Sequence, residues 1–405
     1  MEKNNTQKIY KIVMLILIVI IVTSLITAFL TYQYLTSSKG IGIGKTNNSL
    51  SGLEYTLSQF RSELEKKYIG EINDEDLIES AIKGYVAGLG DPYTVYYTKE
   101  EMEDIMQETN GKYVGIGIYM TLDTEKNAIL VLSPIENSPA EEAGLMPGDI
   151  ITKIDGISYT GDQLDEASNK IKGEEGTKTT IEILRGEEIK TFEIERRKIL
   201  ISHITTKVLK NNIGYIKISD FEGGCADEFR EKYLKLEKQG INKLIIDIRD
   251  NGGGIVDEAL EIAEMITEKG STLLITTDKN KQEDVTKSNS TPIIHMPIVL
   301  LTNEYSASAS EILAAALKEN EKATLVGTKT YGKGVIQQIL TVKDGSGIKL
   351  TVEEYQTPNR NKINKIGIEP NETVELPSDV ESVLNVPEDK DTQLQKAQEI
   401  ANKNQ

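Results

Sequence analysis

The chain has 405 residues, 38% of them hydrophobic and 27% charged, and its formal net charge at pH 7 is −18. This length is enough for two or three domains with hydrophobic cores of their own. The acidic balance argues against nucleic-acid binding, which needs clustered Lys and Arg, and the single cysteine, Cys225, excludes an internal disulfide and a cysteine-based zinc site.

The first recognisable element is an uncharged, mostly aliphatic run at residues 12–30. Its length is close to the roughly 20 residues that a helix needs to cross a bilayer. Three lysines precede it, and the bulky residues that follow do not form a small-x-small cleavage site. We therefore expect a cytoplasmic N-terminus at 1–11 and an uncleaved transmembrane signal-anchor helix at 12–32. The remaining chain is expected on the extracytoplasmic side of the cell membrane.

A linker and a helical arm are predicted next. Residues 33–52 are rich in Gly, Ser, Asn and Thr, a composition typical of a flexible linker. Within residues 53–108, apolar side chains recur at steps of three and four, as at Leu53, Leu57 and Phe60, which predicts helices. An apolar stripe of this kind serves either self-association or packing against the rest of the chain, and the sequence leaves both open.

Residues 109–198 change to short strands and turns, and they are similar to a PDZ domain along their whole length. The run Ser-Pro-Ala-Glu-Glu-Ala-Gly-Leu-Met-Pro-Gly-Asp-Ile-Ile at 138–151 is the most specific part of this resemblance. A PDZ domain binds an extended chain terminus as an added strand at a sheet edge. The resemblance implies that a terminal carboxylate is held by backbone N–H groups of the loop Gly115, Ile116, Gly117 and Ile118. Alternatively, the two glycines only permit a tight bend.

Strands and helices alternate in residues 199–387, which predicts an α/β core. The predicted strands are 214–218, 243–248, 297–301 and a hairpin of 335–342 with 347–355; the predicted helices are 227–238, 256–268 and 307–319. Residues 388–405 are charged and rich in amides, and we expect a polar tail there, either an exposed helix or disordered.

The helix predicted at 307–319 begins within the run Ser-Ala-Ser-Ala-Ser-Glu at 306–311. A serine hydroxyl at a helix N-terminus lies in a positive potential beside unpaired N–H groups, which favours developing negative charge. Ser308 and Glu311 also fit a capping box, which is a purely structural role. Residue type alone does not distinguish the three serines as nucleophiles.

Lys333, between two glycines, is a candidate base because the chain has only two histidines and both lie in strand-like surroundings. A lysine amine with the ordinary pKa of about 10.4 is a poor base at neutral pH. Burial without a carboxylate partner lowers that pKa, and the residues that follow Lys333 carry no acid. In a strand Gln337 would face the same way as Lys333, so its neutral amide could orient the amine. The other interpretation is an exposed lysine at the edge of a hairpin.

The run Asp-Ile-Arg-Asp-Asn-Gly-Gly-Gly at 247–254 follows a hydrophobic strand. Consecutive glycines let backbone N–H groups converge on an oxyanion. The run lacks the Gly-Lys-Ser/Thr ending of a phosphate-binding loop, so nucleotide binding is not expected. The structural alternative is a tight turn from strand to helix.

Taken in their order along the chain, these motifs resemble those of the C-terminal processing peptidases, also called tail-specific proteases. The resemblance covers about residues 53–377. Leu-Gly-Asp-Pro-Tyr at 89–93 and Gly-Ile-Glu-Pro at 367–370 belong to the same resemblance. It implies an α/β multidomain protein with a core of the crotonase-like, tail-specific protease fold. It also implies the roles of five site residues: Ser308 as nucleophile, Lys333 as general base, Gln337 as its supporting amide, and the N–H groups of Ala309 and Gly253 as oxyanion donors.

The implied function is that of a membrane-anchored serine endopeptidase that cleaves extracytoplasmic proteins captured by their C-termini, with no metal or other cofactor. Members of this family often assemble through their helical arms, so a homodimer or higher homo-oligomer is compatible with the resemblance. The rival hypothesis is a catalytically inactive, membrane-tethered PDZ adapter. A trypsin-like protease would need a Gly-Asn-Ser-Gly-Gly loop, which this chain lacks.

Overall fold

The computed structural model describes residues 50–109, 112–378, 380 and 386–403. The transmembrane segment predicted at 12–32 lies outside these residues. Within the described part of the chain, no helix combines the length and the hydropathy needed to span a membrane. The chain divides into two compact units between Ser80 and Ala81.

The described residues of the first unit are mainly helical. Helix α1 spans Leu50–Lys67, and helix α2, Asp74–Ala87, begins in this unit. The side chain of Asn73 caps α2 because it accepts the N–H of Glu75 at 3.0 Å. No residue of α1 is buried, so the apolar residues that predicted this helix are all exposed: Leu53, Leu57, Phe60 and Leu64.

The second unit begins with β1 (Val95–Tyr97) and α3 (Lys99–Thr109) and continues into a β-rich module. The module contains β2 (Lys112–Gly115), β3 (Ile118–Asp123), β4 (Ala128–Pro134), α4 (Pro139–Ala143), β5 (Ile150–Ile154), β6 (Ile157–Ser158), α5 (Leu164–Ile171), β7 (Lys178–Arg185), β8 (Glu188–Glu195) and β9 (Arg197–Leu200). Its sheet has the strand order β3-β4-β5-β7-β8, so β3 lies at an edge. Alternate side chains of the inner strands, such as Ile129, Val131, Ile181 and Ile183, form a separate buried core.

The remaining elements form the α/β core. They are β10 (Ile204–Leu209), β11 (Ile213–Ile218), α6 (Cys225–Lys238), β12 (Lys243–Asp247), α7 (Val256–Glu264), β13 (Thr272–Asp278), β14 (Glu283–Lys287), β15 (Ile298–Thr302), α8 (Ala309–Glu319), β16 (Ala323–Gly327), β17 (Val335–Thr341), β18 (Gly347–Gln356), β19 (Glu372–Thr373) and α9 (Thr392–Lys403). One sheet has the order β10-β11-β12-β15-β16-β19, and the second has the order β1-β18-β13-β14 with β17 paired to β18.

The central strands of the first sheet are parallel and buried on both faces. Leu244, Ile246 and Leu300 pack on the side of α6, α7 and α8, whereas Ile245 and Val299 pack on the opposite side. Burial on both faces explains why these strands are continuous apolar runs in the sequence. The glycine run follows β12 and the serine run follows β15, its parallel neighbour, so the two runs emerge at the same edge of the sheet.

The prediction of an exposed or disordered C-terminal tail is wrong for the described residues 386–403. Helix α9 buries Leu394, Ala397 and Ala401 against the sheet face formed by Ile245, Val299 and their neighbours. The small alanine side chains permit close packing, and the polar residues between them face outward, which made the segment look like a solvated tail in the sequence.

Candidate active site

Ser308 precedes α8 in a strained conformation, with φ 58° and ψ −117°. A non-glycine residue with positive φ is uncommon and is often found at functional sites. The other two serines of the run have structural partners: the hydroxyl of Ser306 donates to the carbonyl of Ile248 at 2.8 Å, and that of Ser310 donates to the carbonyl of Asn251 at 2.9 Å. Ser308 forms the predicted capping box with Glu311, but among the described residues its hydroxyl donates no hydrogen bond. The structure therefore distinguishes Ser308 from its neighbours.

The carboxylate of Glu311 connects the serine run to the lysine loop. Its Oε2 accepts the N–H of Ser308 at 3.0 Å and that of Lys333 at 2.8 Å. Its Oε1 accepts the N–H of Gly332 at 2.7 Å and the hydroxyl of Thr330 at 2.6 Å. Glu311 is fully buried, and burial raises the pKa of its carboxyl against the opposing effect of these hydrogen bonds. The sequence indicates only a capping role for Glu311, and this connection depends on the tertiary structure.

Tyr355 makes a second connection between the same two segments. Its buried hydroxyl lies 3.1 Å from the carbonyl oxygen of Ser308 and also contacts the carbonyl oxygen of Lys333. The main chains of Ser308 and Lys333 are thus joined at both their N–H and their C=O groups. The fold thus brings the main chains of Ser308 and Lys333 close together.

The Lys333 side chain is half-buried. Burial lowers the pKa of its amine and the nearby cation Lys349 lowers it further, whereas Asp91 and Glu311 act in the opposite direction. The expectation of surroundings without acids is therefore wrong, because the carboxylates of Asp91 and Glu311 both act on the amine. Among the described residues the amine donates no hydrogen bond, and its nitrogen lies 4.8 Å from the centroid of the Tyr93 ring.

Gln337 does not contact the amine in the predicted way. Strand β17 begins only at Val335, and the register with β18 shifts between Ile336 and Gln337. A shift of this kind interrupts the alternation of side chains, on which the sequence argument for a shared face depended. The Gln337 amide instead donates to the hydroxyl of Thr351 at 3.4 Å.

The glycine run packs directly against the serine run. Gly253 has φ 106°, and a Cβ atom built on it would lie 2.8 Å from the Cβ of Ser308 and 3.0 Å from the nitrogen of Ala309. Only glycine fits this position. The N–H of Gly253, however, donates to the side chain of Asn251 at 2.8 Å, so this predicted oxyanion donor is engaged in the described conformation.

Asn251 also holds the glycine run in place. Its carbonyl accepts the N–H of Ala307 at 3.0 Å, and its side-chain amide donates to the carbonyl of Ile218 at 3.0 Å. The N–H of Ala309 lies in the first turn of α8, where N–H groups have no partner within the helix. Of the two predicted donors, Ala309 is the one that this arrangement leaves available.

Behind the glycine run lies a buried charge network that sequence analysis did not predict. Arg249 contacts Asp247 at 2.6 Å and Asp391 at 2.9 Å, and its guanidinium also donates to Gln393 at 2.9 Å. The hydroxyl of Tyr215 donates to Asp247 at 2.7 Å. Residues of the C-terminal segment therefore support the turn that leads to the glycines.

The predicted peptide-binding loop lies at a groove of the β-rich module. A cavity of about 250 Å³ is lined by this loop and by apolar side chains that include Ile135, Ile171 and Ile199. Edge strand β3 forms one wall, and Ser168 and Lys172 from the α5 side form another. Gly117 has φ 79°, and its carbonyl accepts the hydroxyl of Ser138 at 2.9 Å. An unpaired strand edge beside an apolar groove is suited to an extended peptide.

Three sequence-family profiles match the chain: Peptidase family S41 at residues 212–374, PDZ domain at residues 130–185, and Activating protease CtpB N-terminal domain at residues 36–101. The matches follow the division of the chain into arm, β-rich module and α/β core.

Two curated relatives and one solved structure are similar over most of the chain. A "Probable CtpA-like serine protease" from Staphylococcus aureus is 36% identical over 383 residues, which is 93% of this chain and 75% of the relative. Its counterpart from Staphylococcus haemolyticus is 34% identical, over 95% of this chain and 76% of the relative. The crystal structure of a "Putative S41 protease" from Bacteroides fragilis has a TM-score of 0.52 at 18% identity, covers 83% of this chain and 91% of its own, and shows the same fold.

Proposed function

The chain belongs to peptidase family S41 and is a serine-type endopeptidase, and on this premise we propose that it cleaves extracytoplasmic proteins with Ser308 as nucleophile and Lys333 as general base. The observation that carries the proposal is the pair of hydrogen bonds that end on Glu311 Oε2, one from the N–H of Ser308 and one from that of Lys333. A buried carboxylate that joins these two backbone segments supports a shared site for the hydroxyl and the amine.

In the proposed reaction, the neutral amine of Lys333 takes the hydroxyl proton as Ser308 Oγ bonds to the scissile carbonyl carbon. The C–N bond then breaks and the proton passes from the lysine to the leaving amine. Water then attacks the carbonyl carbon of the resulting ester as Lys333 takes a proton from it. Lys333 returns that proton to the Ser308 oxygen as the C–O bond of the ester breaks, which restores the hydroxyl and the neutral amine. The flexible four-carbon stem of lysine allows the amine to approach the hydroxyl from its place at the Tyr93 ring.

Negative charge on the carbonyl oxygen needs donors beside Ser308. The N–H of Ala309 is proposed as the first donor because it lies at the N-terminus of α8, where the helix dipole also favours negative charge. Gly253 is proposed as the second, since its backbone is packed against Ser308. Its N–H must exchange the side chain of Asn251 for the substrate oxygen in order to contribute.

Substrate capture is assigned to the groove at edge strand β3. A substrate C-terminus would extend the sheet there, its last side chain in the apolar cavity and its carboxylate at the loop formed by Gly115, Ile116, Gly117 and Ile118. The apolar lining favours an aliphatic terminal residue. The proposal also includes the membrane anchor at 12–32, for which the support is the sequence alone.

The test of this function is cleavage of an unfolded protein added to intact cells that express the full-length chain. We expect cleavage outside the cells, and Ser308→Ala is expected to lower kcat about 10⁴-fold or more, because without the hydroxyl no acyl-enzyme forms.

Capture through the C-terminus is tested with a peptide substrate whose C-terminus is amidated, compared with the same peptide bearing a free carboxylate. The KM of the amidated peptide should be higher because it lacks the carboxylate. Full activity of Ser308→Ala would contradict the nucleophile assignment, whereas equal KM values would contradict capture through the C-terminus.

Self-association through the helical arm is a separate part of the proposal. The exposed side chains of Leu53, Leu57, Phe60 and Leu64 form an apolar stripe on α1 that a second copy of this chain could cover. We expect a chain without residues 1–39 to sediment as an oligomer, and the double substitution Leu57→Glu with Phe60→Glu to convert it to the monomer. Ser58→Glu, which adds a charge on α1 away from the stripe, is the matched control. Identical sedimentation of all three proteins would exclude the stripe as the interface.

A further inference from the structure

The segment that carries Tyr93 is attached firmly to the strand beside the lysine loop. One oxygen of Asp91 accepts the N–H of Tyr93 at 3.1 Å, and the other accepts the hydroxyl of Thr94 at 2.6 Å. The Thr94 oxygen in turn accepts the N–H of Thr351 on β18 at 3.1 Å. Strand β1 then pairs with β18, with Val95 opposite Lys349. The backbone of Tyr93 is thus held by hydrogen bonds on both sides of the residue.

The ring of Tyr93 faces the proposed base. The nitrogen of Lys333 lies 4.8 Å from the ring centroid, inside the distance of about 6 Å within which an ammonium group and an aromatic face attract each other. Among the described residues the amine makes no hydrogen bond or ion pair, so this ring is its direct contact. The charged groups in range are Asp91 and Glu311, which favour the ammonium form, and Lys349, which disfavours it.

An aromatic ring is well suited to position a lysine that must change its charge during each turnover. A carboxylate in the same place would hold the ammonium form, and open solvent would hydrate it. A ring excludes water from one side of the amine, accepts no proton, and attracts the amine only modestly. The amine can therefore leave the ring for the hydroxyl of Ser308 and return.

We propose that Tyr93 is a positioning residue for the reaction, and that its ring holds the Lys333 amine in place and shields it from water. This inference rests on the proposed function of Lys333 as the general base. It also assigns a task to the Leu-Gly-Asp-Pro-Tyr element at 89–93, in which Asp91 and Tyr93 have separate roles: the carboxylate fixes the turn, and the ring contacts the amine.

The experiment compares Tyr93→Phe, Tyr93→Leu and Tyr93→Ala in the full-length protein, with kcat and KM measured as functions of pH. Tyr93→Phe retains the ring and should stay within about twofold of the unmodified protein. Tyr93→Ala should lower kcat at neutral pH about 10- to 100-fold with little change in KM, because a misplaced base slows chemistry rather than binding. The acidic limb of the plot of kcat against pH should move to higher pH in Tyr93→Ala, because a hydrated amine is more easily protonated. Tyr93→Leu, which keeps an apolar side chain, is the variant to use if the alanine variant does not fold.

An independent readout separates this inference from the proposed function. Reductive methylation with ¹³C labels lysine amines for NMR, and the Lys333 signal, assigned by its absence from Lys333→Arg, can be titrated without any substrate. The inference predicts the same titration in Tyr93→Phe as in the unmodified protein and a shift to higher pH in Tyr93→Ala or Tyr93→Leu. Unchanged titration and unchanged kcat in those two variants would overturn it, as would a gain of activity. If the unmodified protein is folded but inactive, and the titrations follow the prediction, only the proposed function is overturned.

Discussion

Lys333→Met is expected to lower kcat about 10³-fold or more while the protein stays folded, because general-base catalysis typically contributes 10² to 10⁴. Methionine keeps much of the apolar stem but cannot accept a proton. The measurement is the rate of peptide cleavage at saturating substrate, and Lys343→Met in the β17–β18 turn is the matched control because that lysine is exposed. Activity in Lys333→Met equal to that of the control would show that another group is the base.

The pH dependence of the same reaction follows from the direction of the lysine shift. Burial lowers the pKa of the Lys333 amine, so the neutral, reactive form appears at a lower pH than for a free lysine. Cleavage should rise with pH through this lowered pKa and level off before the ordinary value of about 10.4.

The same shift affects the stability of the folded protein. Because the folded state disfavours the protonated form of the Lys333 amine, the folded protein is less stable below the lowered pKa than above about 10.4. Lys333→Met has no amine to protonate, so the Tm of this variant at neutral pH should equal or exceed that of the unmodified protein.

Arg249→Met is expected to destabilise the core by about 3–5 kcal/mol, because loss of the guanidinium leaves the carboxylates of Asp247 and Asp391 buried without a cation to neutralise them. Asp391→Asn should cost less, about 1–3 kcal/mol, since the pair of Arg249 with Asp247 remains neutral as a whole. The measurement is urea-induced unfolding. Asp389→Asn changes an exposed residue of the same segment and should alter the free energy of unfolding by less than about 0.5 kcal/mol.

The order of these effects is the critical result. If Asp391→Asn lowered the free energy of unfolding as much as Arg249→Met does, the number of unpaired buried charges would not explain the stability of this network. If neither substitution mattered, the C-terminal segment would not support the glycine run. At low pH, Arg249→Met and Asp391→Asn should differ less in their free energy of unfolding. Arg249 lowers the pKa of the buried Asp247 carboxyl, so in Arg249→Met this carboxyl becomes protonated, and therefore neutral, at a higher pH.

The amino-acid sequence by itself determined the elements and the motifs. The helices of the arm, the short strands within residues 109–198 and the alternating core were predicted from local periodicity and turn residues, and the structure has these elements in the same parts of the chain. Family membership also followed from the order of the motifs, since the S41 and PDZ matches agree with it. The roles of Ser308, Lys333, Gln337, Ala309 and Gly253 stay predictions.

The tertiary structure alone decided which of these residues meet and through which partners. Only the packed core shows that Ser306 and Ser310 have structural partners, that Glu311 joins the serine and lysine segments, and that a register shift turns Gln337 toward Thr351. Contacts such as Tyr93 with Lys333 and Arg249 with Asp391 link residues far apart in the chain. Such contacts depend on how strands and helices pack, and the spacing of residues within a segment carries no record of that packing.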